Sequence, residues 1–95
     1  MRNYEVAFIA QADLDESSLT ALTEKAKGWV TATGGQVTQV DLWGRRRLAY
    51  PIRKQHEGQY ILMQTQMTAN ATREIERNLR LTEQIIRFQI IRTDV

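Results

Sequence analysis

From Arg2 to Ile9 apolar and polar residues alternate, with Tyr4, Val6 and Phe8 on one side and Asn3, Glu5 and Ala7 on the other. A period of two predicts a half-buried strand. The pattern breaks at residues 11–16, where Asp13 precedes Glu16 at the spacing of a capping box and acids suit the first turn of a helix. Leu19, Leu22, Ala26, Trp29 and Val30 then recur at three and four residues, one apolar helical stripe that Gly34-Gly35 terminates. A second strand is predicted from Gln36, with Val37 and Val40 as its first apolar positions and a bulge at Gly44, running through Arg45-Arg46-Arg47-Leu48-Ala49-Tyr50 to Pro51. Proline has no N–H to donate, so Pro51 belongs at an edge or a strand end.

Gln55-His56-Glu57-Gly58 reads as a turn, and Gln59–Met67 as the hairpin partner of the second strand. Asn70 is placed to cap a second helix in which Ile75 and Leu79 are four apart. Arg73 with Glu76, and Glu74 with Arg77, have i,i+3 spacing on its outer faces. Ile85–Arg92 closes the chain as a strand, alternating Ile86, Phe88 and Ile90 against Arg87, Gln89 and Ile91. The order β-α-β-β-α-β predicts an α+β, ferredoxin-like domain over residues 1–95: a four-stranded antiparallel sheet with both helices on one face. The other face is then bare. Ile61, Met63, Thr65 and Met67 are expected under the helices, and Tyr60 and Leu62 in the open, where neighbouring apolar groups suggest a partner surface.

Composition narrows the function classes. The chain has no cysteine, so it has no disulfide, no thiol nucleophile and no cysteine-bound zinc. No apolar run approaches the ~18 residues of a membrane span, and the charges in Met1-Arg2-Asn3-Tyr4-Glu5 do not fit a secretory signal. A cytoplasmic protein is the expectation. The net charge is only +2, but it is unevenly spread. Residues 1–42 carry three Lys/Arg against six Asp/Glu, whereas residues 43–95 carry ten against five. Arg45-Arg46-Arg47 and Arg53-Lys54 put five cations within ten residues, the footprint of a phosphate-binding surface. Arginine suits RNA because its planar fork makes paired hydrogen bonds and its face stacks on bases. Alternation on a strand lets at most two of the arginine triplet face one RNA surface. Arg2, Arg87 and Arg92 form a second positive region if the first and last strands are neighbours.

Catalytic chemistry is not legible. His56 stands alone in a polar turn, far from the set of convergent ligands a metal needs. Ser17 and Ser18 fit the start of a helix and have no base nearby in sequence. Gly34-Gly35 follows a helix, so no phosphate-loop fingerprint is present. No catalytic residue, cofactor, metal or small-molecule substrate is expected.

Met1-Arg2-Asn3-Tyr4-Glu5, Gly44-Arg45-Arg46-Arg47-Leu48-Ala49-Tyr50-Pro51-Ile52, Gly58-Gln59-Tyr60 and Arg77-Asn78-Leu79-Arg80-Leu81 together resemble the bacterial small-subunit ribosomal protein S-six family, over essentially the whole chain. The resemblance implies a ribosome-associated, non-enzymatic protein that binds the central domain of small-subunit rRNA cooperatively with ribosomal protein S-eighteen. By position, it implies Arg2, Tyr4, Arg87 and Arg92 as RNA-facing residues, with Arg46, Arg47 and Lys54 as further ones. Tyr50, Tyr60 and Leu62 correspond to the surface offered to the partner protein. Some members carry an acidic C-terminal tail; here the sequence ends at Val95, and no contact through such a tail is expected.

Three other functions go with the same element order. An acyl-phosphate hydrolase needs a phosphate cradle after the first strand, where this chain has acidic Gln11-Ala12-Asp13-Leu14-Asp15. A single-strand RNA-recognition domain stacks bases on several aromatics of its central strands. Gln59-Tyr60-Ile61-Leu62-Met63-Gln64-Thr65 supplies one. A ligand-sensing regulatory domain is a third possibility, and such domains are usually attached to an enzyme.

Overall fold

A computed structural model describes residues 1–94; Val95, where the tail expectation falls, lies outside the described residues. The elements are β1 (Arg2–Gln11), α1 (Glu16–Ala32), β2 (Gln36–Ile52), β3 (Gln55–Met67), α2 (Ala69–Leu81) and β4 (Ile85–Arg92). The four strands form one antiparallel sheet in the order β2-β3-β1-β4, the ferredoxin-like arrangement that the β-α-β-β-α-β element order predicts. β1 is central and β4 is an edge.

One face of the sheet makes the core. Tyr4, Val6, Phe8 and Ala10 of β1 join Ile61, Met63 and Met67 of β3. Leu22, Ala26 and Val30 of α1 and Ala71, Ile75 and Leu79 of α2 close over them, so both helices cover the same side. Burying each large side chain in such a layer stabilises by about 1.5–3 kcal/mol, which sets the register, because a slip by one residue would turn this row outward. Thr65 is the one polar member of the buried β3 row; its Oγ1 donates to the Tyr4 carbonyl at 3.0 Å, so its burial leaves no orphan group.

The element ends differ from their sequence expectations. Asp15, not Asp13, caps α1, its Oδ1 accepting from the Ser18 N–H at 2.8 Å. Thr68, not Asn70, caps α2, accepting from the Ala71 N–H at 3.3 Å. On α2 the ion pair that forms is Arg80 with Glu76 at i,i+4, at 2.8 Å, and not either of the i,i+3 pairs. That pair brings the arginine into the last turn, where a cation also complements the helix dipole.

The hairpin turn is displaced as well. Ile52 pairs with Gln55, so the turn is Arg53-Lys54, both with positive φ (50° and 64°). Two consecutive positive φ values are the signature of a tight two-residue hairpin turn, and they match the twist of the flanking strands. Residues 55–58, which the sequence presents as a turn, are instead the first rungs of β3. Gly44 does sit at a register shift, with φ 81°, where the predicted bulge falls.

Candidate RNA and protein interface

The β2–β3 hairpin runs beyond the end of β1, where Gln11 pairs with Gly58. Its tip does not project freely. The ladder is irregular between Arg47 and Ile52, and the tip curls across the end of the sheet to reach β4 at the opposite edge. The Arg87 guanidinium hydrogen-bonds the Tyr50 hydroxyl and lies 5.9 Å from the centre of its ring. Arg53 Nη1 donates to the Glu83 carbonyl at 3.3 Å, fastening the turn to the loop before β4. Leu48 is buried by this fold-over and shares a shallow cavity with Ile9, Tyr50, Tyr60, Arg87 and Gln89. Gly58 permits the close approach. A Cβ there would collide with Cγ2 of Ile9 and lie 3.3 Å from the Ala10 carbonyl oxygen.

The five hairpin cations divide by what they touch. Arg45 Nη2 donates to the Ala12 carbonyl at 2.7 Å, so this arginine closes the β1–α1 loop. Arg53 is engaged with Glu83. Arg46, Arg47 and Lys54 are exposed and have no side-chain hydrogen bond or ion pair among the described residues. Arg46 stands opposite Gly58 and Arg47 opposite Glu57, so successive arginines face opposite sides. The hairpin therefore presents cations in more than one direction.

The second positive region differs from its expectation. β4 runs antiparallel to β1, placing Arg92 opposite Tyr4 and Arg87 opposite Ile9. Five residues of strand, about 17 Å, separate the two arginines. Arg87 therefore belongs with the hairpin, and only Arg2 and Arg92 share the other end of the sheet. Arg92 Nε is paired with Asp94 at 3.0 Å. The Asn3 backbone N–H, first, and Arg92, second, hold the Asp94 carboxyl below the ordinary carboxylate range. Tyr4, one of the RNA-facing residues that the resemblance implies, is 8% exposed and packs in the core beside Val6 and Phe8, so it offers RNA little side-chain surface. Strand alternation already carried that signal.

Tyr60 and Leu62 are half-buried on the open face, two residues apart on β3, and Tyr50 reaches the same surface from the folded hairpin. Trp43 is the residue that sequence reasoning missed. It is 52% exposed and stacks on Tyr60, with ring centres 6.4 Å apart and planes 10° from parallel. Its position beside the bulge at Gly44 was the available signal, since bulges re-aim neighbouring side chains. Ala7 and Ile9 of β1 flank Leu62 and Tyr60 across the ladder, completing an apolar strip.

The model of the family described as ribosomal protein S6 matches residues 3–92. The small ribosomal subunit protein bS6 of Moorella thermoacetica is 44% identical over 94 residues, covering 99% of this chain and 96% of that protein. That of Clostridium novyi is 46% identical over 91 residues, covering 96% of each. The crystal structure of the 30S ribosomal protein S6 of Thermotoga maritima superposes with a TM-score of 0.92 at 31% identity, covering 97% of this chain and 87% of that one. The sheet order, the helix-covered core and the near full-length sequence match agree, and the chain belongs to the ribosomal protein S6 family, a family of small-subunit ribosomal proteins and not of enzymes.

Proposed function

We propose that this protein binds the central domain of small-subunit rRNA in the bacterial cytoplasm, cooperatively with ribosomal protein S-eighteen, as the subunit assembles. The observation that carries this reading is a division of labour on the surface. Arg46, Arg47 and Lys54 are free of protein partners among the described residues, while the apolar strip of Ile9, Tyr60 and Leu62 lies on the open sheet face. Free cations at the hairpin suit phosphate; an apolar strip suits a protein. Arg2 and the partly neutralised Arg92 add a weaker positive region, and Arg87 acts by holding Tyr50 and hence the hairpin in place.

The test is a salt titration of binding to a central-domain rRNA fragment, with and without S-eighteen. Removing the charges of Arg46, Arg47 and Lys54 is expected to weaken binding and flatten the log–log salt slope by roughly one unit for each phosphate no longer neutralised. Leu62→Glu is expected to abolish the partner's contribution and leave the fold intact. An unchanged slope in the triple variant overturns the RNA surface. Undiminished cooperativity in Leu62→Glu overturns the protein surface.

A further inference from the structure

The helix layer, on the side of the sheet away from the apolar strip, holds a cleft of about 530 Å³ between the C-terminal end of α1 and the length of α2. Trp29 and Thr33 of α1 line one wall, and Asn70, Glu74 and Asn78 of α2 line the other. Trp29 is half-buried and packed against the core, which holds its ring in place. Asn70, Glu74 and Asn78 recur every four residues, so they form one row with about 6 Å between neighbours along the helix. None of these three side chains, nor the Trp29 indole N–H, has a hydrogen bond or ion pair among the described residues. The causes are local. Thr68 takes the cap that Asn70 could have filled, and Arg80 takes Glu76. Arg73 and Arg77 stay exposed and without an ion pair among the described residues. At about 100° per residue they stand on the solvent side of the row, because the buried Ala71, Ile75 and Leu79 lie on its other side. Asparagine is a poor helix former, so helix stability does not account for Asn78.

We propose that this cleft binds a guanine nucleotide, with the base against the Trp29 indole, its Watson–Crick edge on Glu74 and its phosphate at Arg73 and Arg77. A carboxylate accepts two parallel hydrogen bonds from a planar group that carries two adjacent donors. Guanine presents such an edge in its N1–H and N2–H groups, and the amide of Asn70 or Asn78 can donate to its O6. Adenine presents an acceptor at N1, which a carboxylate repels. Stacking on an aromatic side chain combined with hydrogen bonds to that edge is how proteins read an unpaired base. Size agrees. Small-molecule sites run to roughly 300–1,000 Å³, so the cleft is nucleotide-sized and too large for a single inserted side chain. Charge disfavours an organic cation, because two unpaired arginines border one carboxylate and need an anion that their planar forks can bind. The site uses neither the hairpin cations nor the apolar strip, so it goes beyond the proposed function and does not depend on it.

The experiment is an NMR titration of the isotope-labelled full chain with GMP, AMP, inorganic phosphate and a single-stranded RNA hexamer containing one guanosine. GMP is expected to move the Trp29 indole resonance and the amides of residues 70–78, and to leave the Trp43 indole in place. AMP should bind about tenfold more weakly or worse. Glu74→Gln should weaken GMP about tenfold while the melting temperature stays at the wild-type value. Arg73→Gln,Arg77→Gln should lower the affinity for GMP to that for guanosine. The hexamer separates the two sources of the same chemistry: weaker binding than GMP assigns the free nucleotide, and tighter binding assigns an unpaired guanosine of RNA. Equal affinities for AMP and GMP, an undiminished affinity in Glu74→Gln, the same shifts with inorganic phosphate alone, or a Trp29 resonance that no probe moves would each overturn the proposal.

Discussion

The two faces of the sheet are made from the same strands and differ in what determines their residues. Phe8 and Ile9 are adjacent in β1. Phe8 is 1% exposed beneath the helices, whereas Ile9 is half-buried among Tyr60, Leu48 and Arg87 on the open side. On the covered face the core rows of β1 and β3 are fixed by packing with α1 and α2. On the open face, among the described residues, cover comes from the hairpin tip, fastened by Arg87 to Tyr50 and by Arg53 to Glu83, and from Trp43 stacked on Tyr60. The apolar residues of the first face are buried in the core, whereas those of the second form a partly exposed strip of the kind that marks interaction surfaces.

Truncation separates the faces most sharply. Phe8→Ala should cost about 3–5 kcal/mol, a large part of the roughly 5–15 kcal/mol that holds a small domain together. Leu62→Ala on the open face should cost well under half as much, since less of the side chain is packed. Urea denaturation of the two variants reads the difference directly, and equal losses would mean that the open face is packed like a core.

Gly58→Ala tests the hairpin end of the open face. The added methyl cannot coexist with Ile9 in its present place, so either Ile9 or the hairpin must move. An overpacking cost of about 1–3 kcal/mol is expected, with separation of Arg87 from Tyr50 visible in the tyrosine resonances. Gly58→Ala,Ile9→Ala should recover most of that stability, and failure of the rescue would remove steric conflict with Ile9 as the cause.

A smaller effect belongs to the helix cap outside both faces. The Ser18 backbone N–H, ahead of the Ser18 and Ser17 side-chain bonds, holds the Asp15 carboxyl below its ordinary value of 3.8. A carboxylate depressed in the folded state contributes stability above its unfolded pKa, and that contribution is lost as pH falls through the folded value. The difference in melting temperature between wild type and Asp15→Ala should therefore be constant from pH 5 to pH 8 and shrink below about pH 4. A difference that persists undiminished at low pH would show that the cap acts through geometry alone.

Sequence pattern is sufficient for most of the covered face. Alternation in β1 and β3 and the stripes of α1 and α2 identify the buried rows, because burial of one face imposes a period that local composition displays. In β4 the register shift between Ile9 and Ala10 puts Ile85 in the core instead of Ile86, which the alternation groups with Phe88 and Ile90. Capping is less legible. Asp13 and Asp15 both have cap chemistry, as do Thr68 and Asn70, and the choice depends on where the preceding strand releases the chain. The turn is hidden for a related reason: Arg53-Lys54 lacks the glycine or asparagine that usually marks two positive φ values, while Gly58 lies where glycine serves a close approach to Ile9 instead.

What the sequence by itself determined is the element order, the buried rows of β1, β3 and the helices, the bulge at Gly44, the basic hairpin and the family. Only the tertiary structure decided which cations are free and which surface they share. Arg45 and Arg53 are engaged by carbonyls of distant loops, Arg87 lies with the hairpin and not with Arg92, and Trp43 is brought onto Tyr60 beside Asp41. Each of these depends on contacts between elements far apart in the chain. A local pattern reports whether a residue is buried; it carries no information about which distant group reaches it.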